Sequence, residues 1–339
     1  MTTATVRWGI LGLGSIARTF ATGLKAVPGA QLVAVGSRDA AKAKAFASDF
    51  GAARAHASYE ALCADPGVDA IYVATPHPNH RDNALAVIAG GKALLCEKPF
   101  TVNADELVEI VAAARKAKRF AMEAMWTRFL PVHAKVREWL ARGAIGEPRM
   151  VTADFGFRAG LDPKSRLFDP QLAGGGLLDV GVYTIALANM ALGGPGVSAQ
   201  KVAGFAHLGE TGVDEQAAMV LAYPGGRLAS LTCAVRLNTP QEARIDGTEG
   251  SIRIPGFWCT TRAELHGKGG TRESVEIPNQ GNGYEHEAIE VGRCLAAGLT
   301  ESPVIPLDES VAIMRTMDEL RRQWGLRYPF ETSAKSLRA

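Results

Sequence analysis

From residue 6 to about residue 122 the chain alternates short apolar runs with longer segments rich in Ala, Leu, Lys and Glu. The runs cover 6–11, 31–37, 70–74, 93–97 and 120–123, and helical patterns fill 16–26, 40–50, 80–89 and 104–117. This alternation predicts parallel strands joined by right-handed helical crossovers. The first strands lack polar alternation, as expected where helices cover both faces of a sheet. At 339 residues the chain is too long for one ordinary core,. Two domains are expected: 1–123 as an α/β, doubly wound parallel sheet, and 124–339 as an α+β domain.

The second region has a different texture. A helical pattern over 131–142 leads to a strand at 149–157, a glycine turn at 174–176 and a helix through 179–190. Short β-rich runs follow at 201–206, 216–222, 227–234, 243–246, 251–254 and 274–277, and helices at 284–297 and 308–322 close the pattern. Turn pairs such as Pro224-Gly225 predict an open, mainly antiparallel sheet,.

Composition narrows the function classes. Formal net charge is +2, with no basic stripe to neutralise a phosphate backbone, so no nucleic acid partner is expected,. Five widely spaced cysteines without a CxxC pair argue against a disulfide framework and a structural zinc site,. No apolar run approaches the roughly 18 residues of a membrane span, and the first residues lack a targeting pattern. The reading is a cytoplasmic protein with no membrane partner.

The first strand runs directly into Gly12-Leu13-Gly14-Ser15-Ile16-Ala17, a GxGxxA pattern that opens a helix. The first glycine makes the turn, the second admits a pyrophosphate, and the small third residue lets helix pack on strand. The helix N-terminus, at Ser15 and Ile16, offers free N–H groups to phosphates. The second strand ends in Ser37-Arg38-Asp39. An acid there holds a ribose 2′-hydroxyl, whereas a hydroxyl and a guanidinium suit a 2′-phosphate. NADP is expected, with Asp39 serving the ribose of NAD as the alternative.

"LLCEKPF" ends a strand in Glu97-Lys98-Pro99, so Lys98 stands over the crevice where parallel sheets bind ligands,. "GGGLLDVGVY" places Asp179 and Tyr183 four apart, on one helix face,. A buried aspartate in an apolar helix is costly unless paired. A lysine ammonium near Tyr183 would favour the phenolate and make the hydroxyl a usable acid/base. "TPHPNHR" puts Thr75 and Pro76 on a loop and His77 and His80 at HxxH spacing. No third ligand is in view, so no metal is expected. Arg158 and Arg166 read as solvated loop charges, with contact to a substrate as the alternative.

These motifs, with "VDAIYVATPHPNHRDNA", "MWTRFLP" and "GTEGSIRI", resemble the Gfo/Idh/MocA oxidoreductases over nearly the whole chain. Tyrosine at 183 and "AMWTRFLP" resemble the branch holding dimeric dihydrodiol dehydrogenase and glucose–fructose oxidoreductase. The resemblance implies a Rossmann domain, NADP, and a homodimer formed through the open sheet of the second domain. It implies Tyr183 as acid/base, Lys98 as the lysine that orients substrate, and Asp179 at the site, catalytic or structural. Gly12, Gly14, Ser15, Ile16, Ser37, Arg38, Thr75, Pro76, His80, Glu97 and Lys98 would line the cofactor. Trp126, Arg128 and Phe129 would wall a pocket for a sugar, polyol or trans-dihydrodiol, or else belong to the core between domains. The reaction expected is hydride transfer between nicotinamide C4 and a carbinol carbon. A non-catalytic NADP-binding sensor is the competing class, disfavoured by the joint presence of Lys98, Asp179 and Tyr183, and a glucose–fructose-like or inositol-type dehydrogenase is the alternative among enzymes.

Overall fold

The computed structural model describes residues 5–193 and 197–331. The chain clusters into two compact units, the first made of residues 1–101, 105–129 and 279–307, the second of 102–104, 130–278 and 308–339.

The first unit is built on six parallel strands: β1 (Val6–Leu11), β2 (Ala30–Gly36), β3 (Arg54–His56), β4 (Ala70–Val73), β5 (Ala93–Glu97) and β6 (Ala121–Ala124). They lie in the order β3-β2-β1-β4-β5-β6, so the strand order reverses between β1 and β4. Helices α1 (Ser15–Leu24), α2 (Ala40–Phe50), α3 (Tyr59–Cys63), α4 (His80–Ala89) and α5 (Ala104–Ala117) form the crossovers. Every residue of β4 and β5 is buried, which is why these strands read as unbroken apolar runs,. Strand β3 escaped the sequence pattern: its three residues, Arg-Ala-His, are only partly covered at the sheet edge.

In the second unit α6 (Pro131–Ala141) precedes an eight-stranded sheet. Its strands are β7 (Pro148–Gly156), β8 (Lys201–Leu208), β9 (Asp214–Tyr223), β10 (Arg227–Ala234), β11 (Ala243–Gly247), β12 (Gly250–Ile254), β13 (Arg262–His266) and β14 (Arg272–Glu276). The order is β14-β13-β12-β11-β7-β10-β9-β8, antiparallel except for the central pair β7 and β10. Burial alternates along β10, with Ala229, Leu231 and Cys233 inward and Leu228 and Thr232 outward. The inner face is covered by a helical segment running from a π-helical turn (Leu177–Gly181) into α7 (Val182–Ala188). This stretch lies inside residues 170–193, the one described segment long and apolar enough to cross a membrane, and 94% of its most apolar window is buried within the protein. It is a core element, although it exceeds the apolar length anticipated from sequence.

Two helices follow the sheet. α8 (Glu285–Ala296) belongs to the first unit, where it packs against α1 and the turn Trp126–Phe129; α9 (Leu307–Trp324) belongs almost wholly to the second. A division of the chain at residue 123 would leave α8 with the second sheet, whereas its contacts place it on the first.

Ile71 is wholly buried at the centre of β4. Ile71→Ala should cost about 2–5 kcal/mol of unfolding free energy, measured by urea denaturation. A loss under about 1 kcal/mol would mean that this core collapses around the deletion.

Candidate active site

The carboxyl ends of β1, β2, β4 and β5 carry the expected cofactor residues of the first unit. Gly12 leaves β1 at φ +87°, and a Cβ there would stand 2.8 Å from Thr75 Cγ2 and 3.1 Å from the Ala74 carbonyl. Only glycine meets both demands. Gly14 is different. A Cβ on it would meet no atom within 4 Å, so packing does not require glycine there. Helix α1 begins at Ser15 without a side-chain cap, leaving its first N–H groups directed at this open space,. A turn that must be glycine, an open approach and an uncapped helix end fit the pyrophosphate of a dinucleotide.

At the end of β2, Ser37 is buried and its Oγ accepts the Asp39 N–H at 3.1 Å. Arg38 is exposed, with its guanidinium 5.9 Å from the centre of the Tyr59 ring. Asp39 caps α2: its Oδ1 accepts the N–H groups of Ala41 and Lys42 at 2.9 and 3.1 Å. The acid that could have served a ribose is thus engaged by its own helix.

The loop after β4 holds Thr75, whose Oγ1 accepts from Asn83 Nδ2 at 3.0 Å, and the exposed Pro76. His80 is wholly buried, with Nδ1 2.9 Å from the Pro99 carbonyl and Nε2 2.7 Å from the Thr75 carbonyl. Its ring ties the loop after β4 to the loop after β5. His77 and His80 meet edge to face at 5.7 Å between ring centres, and among the described residues no group of three His, Cys, Asp or Glu gathers as a metal site.

Glu97 and Lys98 end β5, and the Lys98–Pro99 bond is cis. The Glu97 carboxylate accepts from the Tyr72 hydroxyl and from Lys98 N–H, the latter at 3.2 Å. Lys98 itself is half-buried. Glu287 of α8, unmarked by any sequence pattern, is wholly buried with no hydrogen-bond partner on either carboxyl oxygen. Burial first, then the neighbouring Glu97, pushes Glu287 well above the usual carboxylate range, and burial raises Glu97 as well. Two buried carboxyls in one field cannot both stay charged, and the one without donors keeps its proton. Trp126, Arg128 and Phe129 are all buried. Trp126 stacks on Tyr284 at 4.5 Å between ring centres, and Arg128 donates to the Val304 carbonyl at 3.2 Å. These contacts give the first two a packing role within the first unit.

In the second unit, Asp179 lies on the π-helical turn and Tyr183 on α7. The pattern predicted an α-helix from Asp179, but the segment opens with the wider turn, a form often found at functional sites. Asp179 is buried, and Arg166 Nη1 bonds its Oδ1 at 2.8 Å. Arg166 is therefore no idle loop charge, although its side chain is 60% exposed. Tyr183 tilts against Phe155 at 5.4 Å between ring centres, and Phe155 stacks on the half-buried Trp258 at 4.8 Å. Neither Phe155 nor Trp258 stood out in the sequence, because their strand and turn are remote from the Tyr183 helix along the chain.

The two glycines of the nucleotide turn should separate by experiment. Gly12→Ala is expected to destabilise the fold by about 1–3 kcal/mol. Gly14→Ala should leave the melting temperature within about 2 °C and weaken dinucleotide binding about tenfold. Thermal melts and a fluorescence titration with NADPH read both; equal melting losses would remove the distinction.

Comparison with known proteins agrees with this geometry. Residues 6–125 match the oxidoreductase family with an NAD-binding Rossmann fold, and residues 133–253 match the GFO/IDH/MocA C-terminal domain. Trans-1,2-dihydrobenzene-1,2-diol dehydrogenase of Mus musculus is 40% identical over 334 residues, covering 96% of this chain and 98% of that protein. Among solved structures, aldose-aldose oxidoreductase from Caulobacter crescentus, complexed with glycerol, is 25% identical with a TM-score of 0.84, covering 94% of this chain and 97% of its own. KijD10, a 3-ketoreductase from Actinomadura kijaniata in complex with NADP and TDP-benzene, is 25% identical with a TM-score of 0.79 and the same coverage. The glycine turn, the EKP strand end, the open sheet and relatives matching almost end to end lead to one conclusion: the chain belongs to the Gfo/Idh/MocA family of NAD(P)-dependent oxidoreductases.

Proposed function

We propose that this enzyme is an NADP-dependent dehydrogenase acting on secondary alcohols of trans-dihydrodiols and sugars. One observation carries the cofactor choice: Asp39 caps its helix through Oδ1, and Ser37 and the exposed Arg38 stand at the end of β2. A guanidinium in that place pairs with a 2′-phosphate. The NADP-bound 3-ketoreductase from Actinomadura kijaniata supports the same choice.

The row Tyr183–Phe155–Trp258 supports an aromatic or flat cyclic diol, since Tyr183 and the half-buried Trp258 each pack a ring against Phe155,. The dihydrodiol dehydrogenase of Mus musculus supports that substrate class, and the aldose-aldose oxidoreductase supports sugars. Bound nicotinamide supplies the hydride acceptor or donor. In our reading Tyr183 Oη takes the carbinol proton during oxidation and returns it during reduction. Lys98 Nζ hydrogen-bonds the reacting oxygen and holds it in line. Asp179, charge-balanced by Arg166, keeps the Tyr183 helix face polar and touches a substrate hydroxyl. Gly12, Gly14, Ser15 and Ile16 cradle the pyrophosphate, with Thr75, Pro76 and Glu97 beside the nicotinamide half and His80 behind them.

We further propose a homodimer. Phe205, Val220, Leu228 and Met150 all point to the outer face of the second sheet, and Phe205 is 88% exposed. An apolar sheet face of this kind calls for a cover, and a second copy meets it by two-fold symmetry. Cytoplasmic residence is proposed with it, because four of the five thiols are buried and free,.

Reduced-nicotinamide absorbance should rise with NADP⁺ and trans-1,2-dihydrobenzene-1,2-diol or D-xylose. Tyr183→Phe should lower kcat about 10²–10⁴-fold while NADPH binding persists; turnover at the original rate would remove Tyr183 from the role. Preference for NAD⁺ in the unmodified enzyme would overturn the reading of Ser37 and Arg38. In sedimentation, the paired change Phe205→Glu and Val220→Glu should convert a dimer to a folded monomer, and an unchanged dimer would place the interface elsewhere.

A further inference from the structure

Asp214 opens β9 and is wholly buried. Its Oδ2 accepts the Leu177 N–H at 2.6 Å, the first residue of the segment that carries Asp179 and Tyr183. The chain is shaped to receive this carboxylate. Gly175 lies at φ +121°, and a Cβ on it would fall 2.2 Å from Asp214 Oδ1. Gly174 is held from the other side, where a Cβ would stand 2.7 Å from the Leu167 carbonyl, and the Tyr328 hydroxyl donates to the Gly174 carbonyl at 2.8 Å. The triple glycine thus records a close approach of side chain to backbone and not a flexible hinge.

The remaining oxygen, Oδ1, has no hydrogen bond of good geometry, although the N–H groups of Gly176 and of Asp214 itself lie close enough to favour the charged form. A buried carboxylate left half satisfied is destabilising, and an apolar residue would pack there at lower cost. Retention of such a group in an apolar core calls for a task, and its bond to the helix start supplies one.

We propose that Asp214 is a positioning residue: its carboxylate fixes the start of the Leu177–Ala188 segment and thereby the direction in which Asp179 and Tyr183 present their polar atoms. The inference rests on the assignment of Tyr183 as acid/base. Loss of the bond would release Leu177 N–H, loosen the glycine turn and move Tyr183 Oη without removing any group that touches substrate. The charged and titratable groups facing Asp214 are Arg321 of α9, Tyr328 and Cys233 of β10. Burial is the largest influence among them and pushes Asp214 up to about 7. Its pKa is raised on folding, so its protonated form is favoured in the native state. Stability from this group is present at low pH and lost as pH rises through about 7,.

The test compares Asp214→Ala with Asp214→Asn, whose amide oxygen can still accept the Leu177 N–H. Native-state hydrogen exchange should be about tenfold faster at Leu177 in the alanine variant and near the original rate in the asparagine variant. With NADP⁺ and a dihydrodiol, alanine should lower kcat about 10- to 100-fold with KM changed less than about threefold, and asparagine should restore most of the loss. The asparagine variant should also lose the decline in stability that this group causes between about pH 4 and pH 7,. If alanine does not fold, Asp214→Leu, close in volume and without an acceptor, takes its place and should show the same faster exchange at Leu177 and the same loss of kcat. Equal protection of Leu177 in folded alanine and unmodified enzyme, or lost protection with unchanged kcat, would overturn the proposal. Absence of turnover in the unmodified enzyme would count against the Tyr183 assignment, while the exchange result would still judge the clamp.

Discussion

The nucleotide unit depends on how closely three strand ends are laced. Gly12 N–H donates to the Gly36 carbonyl at 3.1 Å, and Ala74 N–H donates to the Leu11 carbonyl at 2.8 Å. These bonds hold the ends of β1, β2 and β4 in one rim, and the would-be Cβ of Gly12 already touches Thr75. Nothing larger can turn there. Once that rim is fixed, the N-terminus of α1, the Ser37-Arg38 pair and the Thr75-Pro76 loop are placed together at the strand-order reversal, where open α/β sheets bind ligands. His80 then locks the same rim to the end of β5 through its two carbonyl contacts, so Lys98 takes its place from the sheet and not from its own side chain.

Much of this was legible in the chain itself. Period and composition located the strands of the first sheet except β3, and GxGxxA located the turn, because those signals are local. The second sheet was less legible: β13 has only five residues, and its facing pattern depends on pairing with β12 and β14. The parallel alignment of β7 with β10 is a matter of topology that turn residues do not encode.

At the site, residue types were legible and partnerships were not. Lys98, Asp179 and Tyr183 stand out by motif, yet the guanidinium beside Asp179 comes from a loop and the clamp at Leu177 comes from β9, 37 residues away. Glu287 is the extreme case. On a helical wheel it reads as one more surface acid between Glu285 and Glu290, and only the packing of α8 shows all three to be buried. Glu285 is satisfied by the Gly281 and Gly283 N–H groups, and Glu290 by Arg293 and Ser302. Glu287 alone of the three has no such donors. Long-range pairing of buried charges is the part of a fold that sequence spacing carries least.

The placement of α8 also sets an order of events during synthesis. The last strand of the first sheet ends at Ala124, but the helix that covers α1 and the Trp126 turn is not made until the whole second sheet has been. The first unit therefore leaves the ribosome with an open apolar flank, and it closes only when the chain returns from the second. The second unit closes later still, since α9 follows α8 along the chain. A nascent chain stalled between β6 and α8 is thus an exposed intermediate of the kind that aggregates or engages chaperones, and the two halves of this enzyme mature as one.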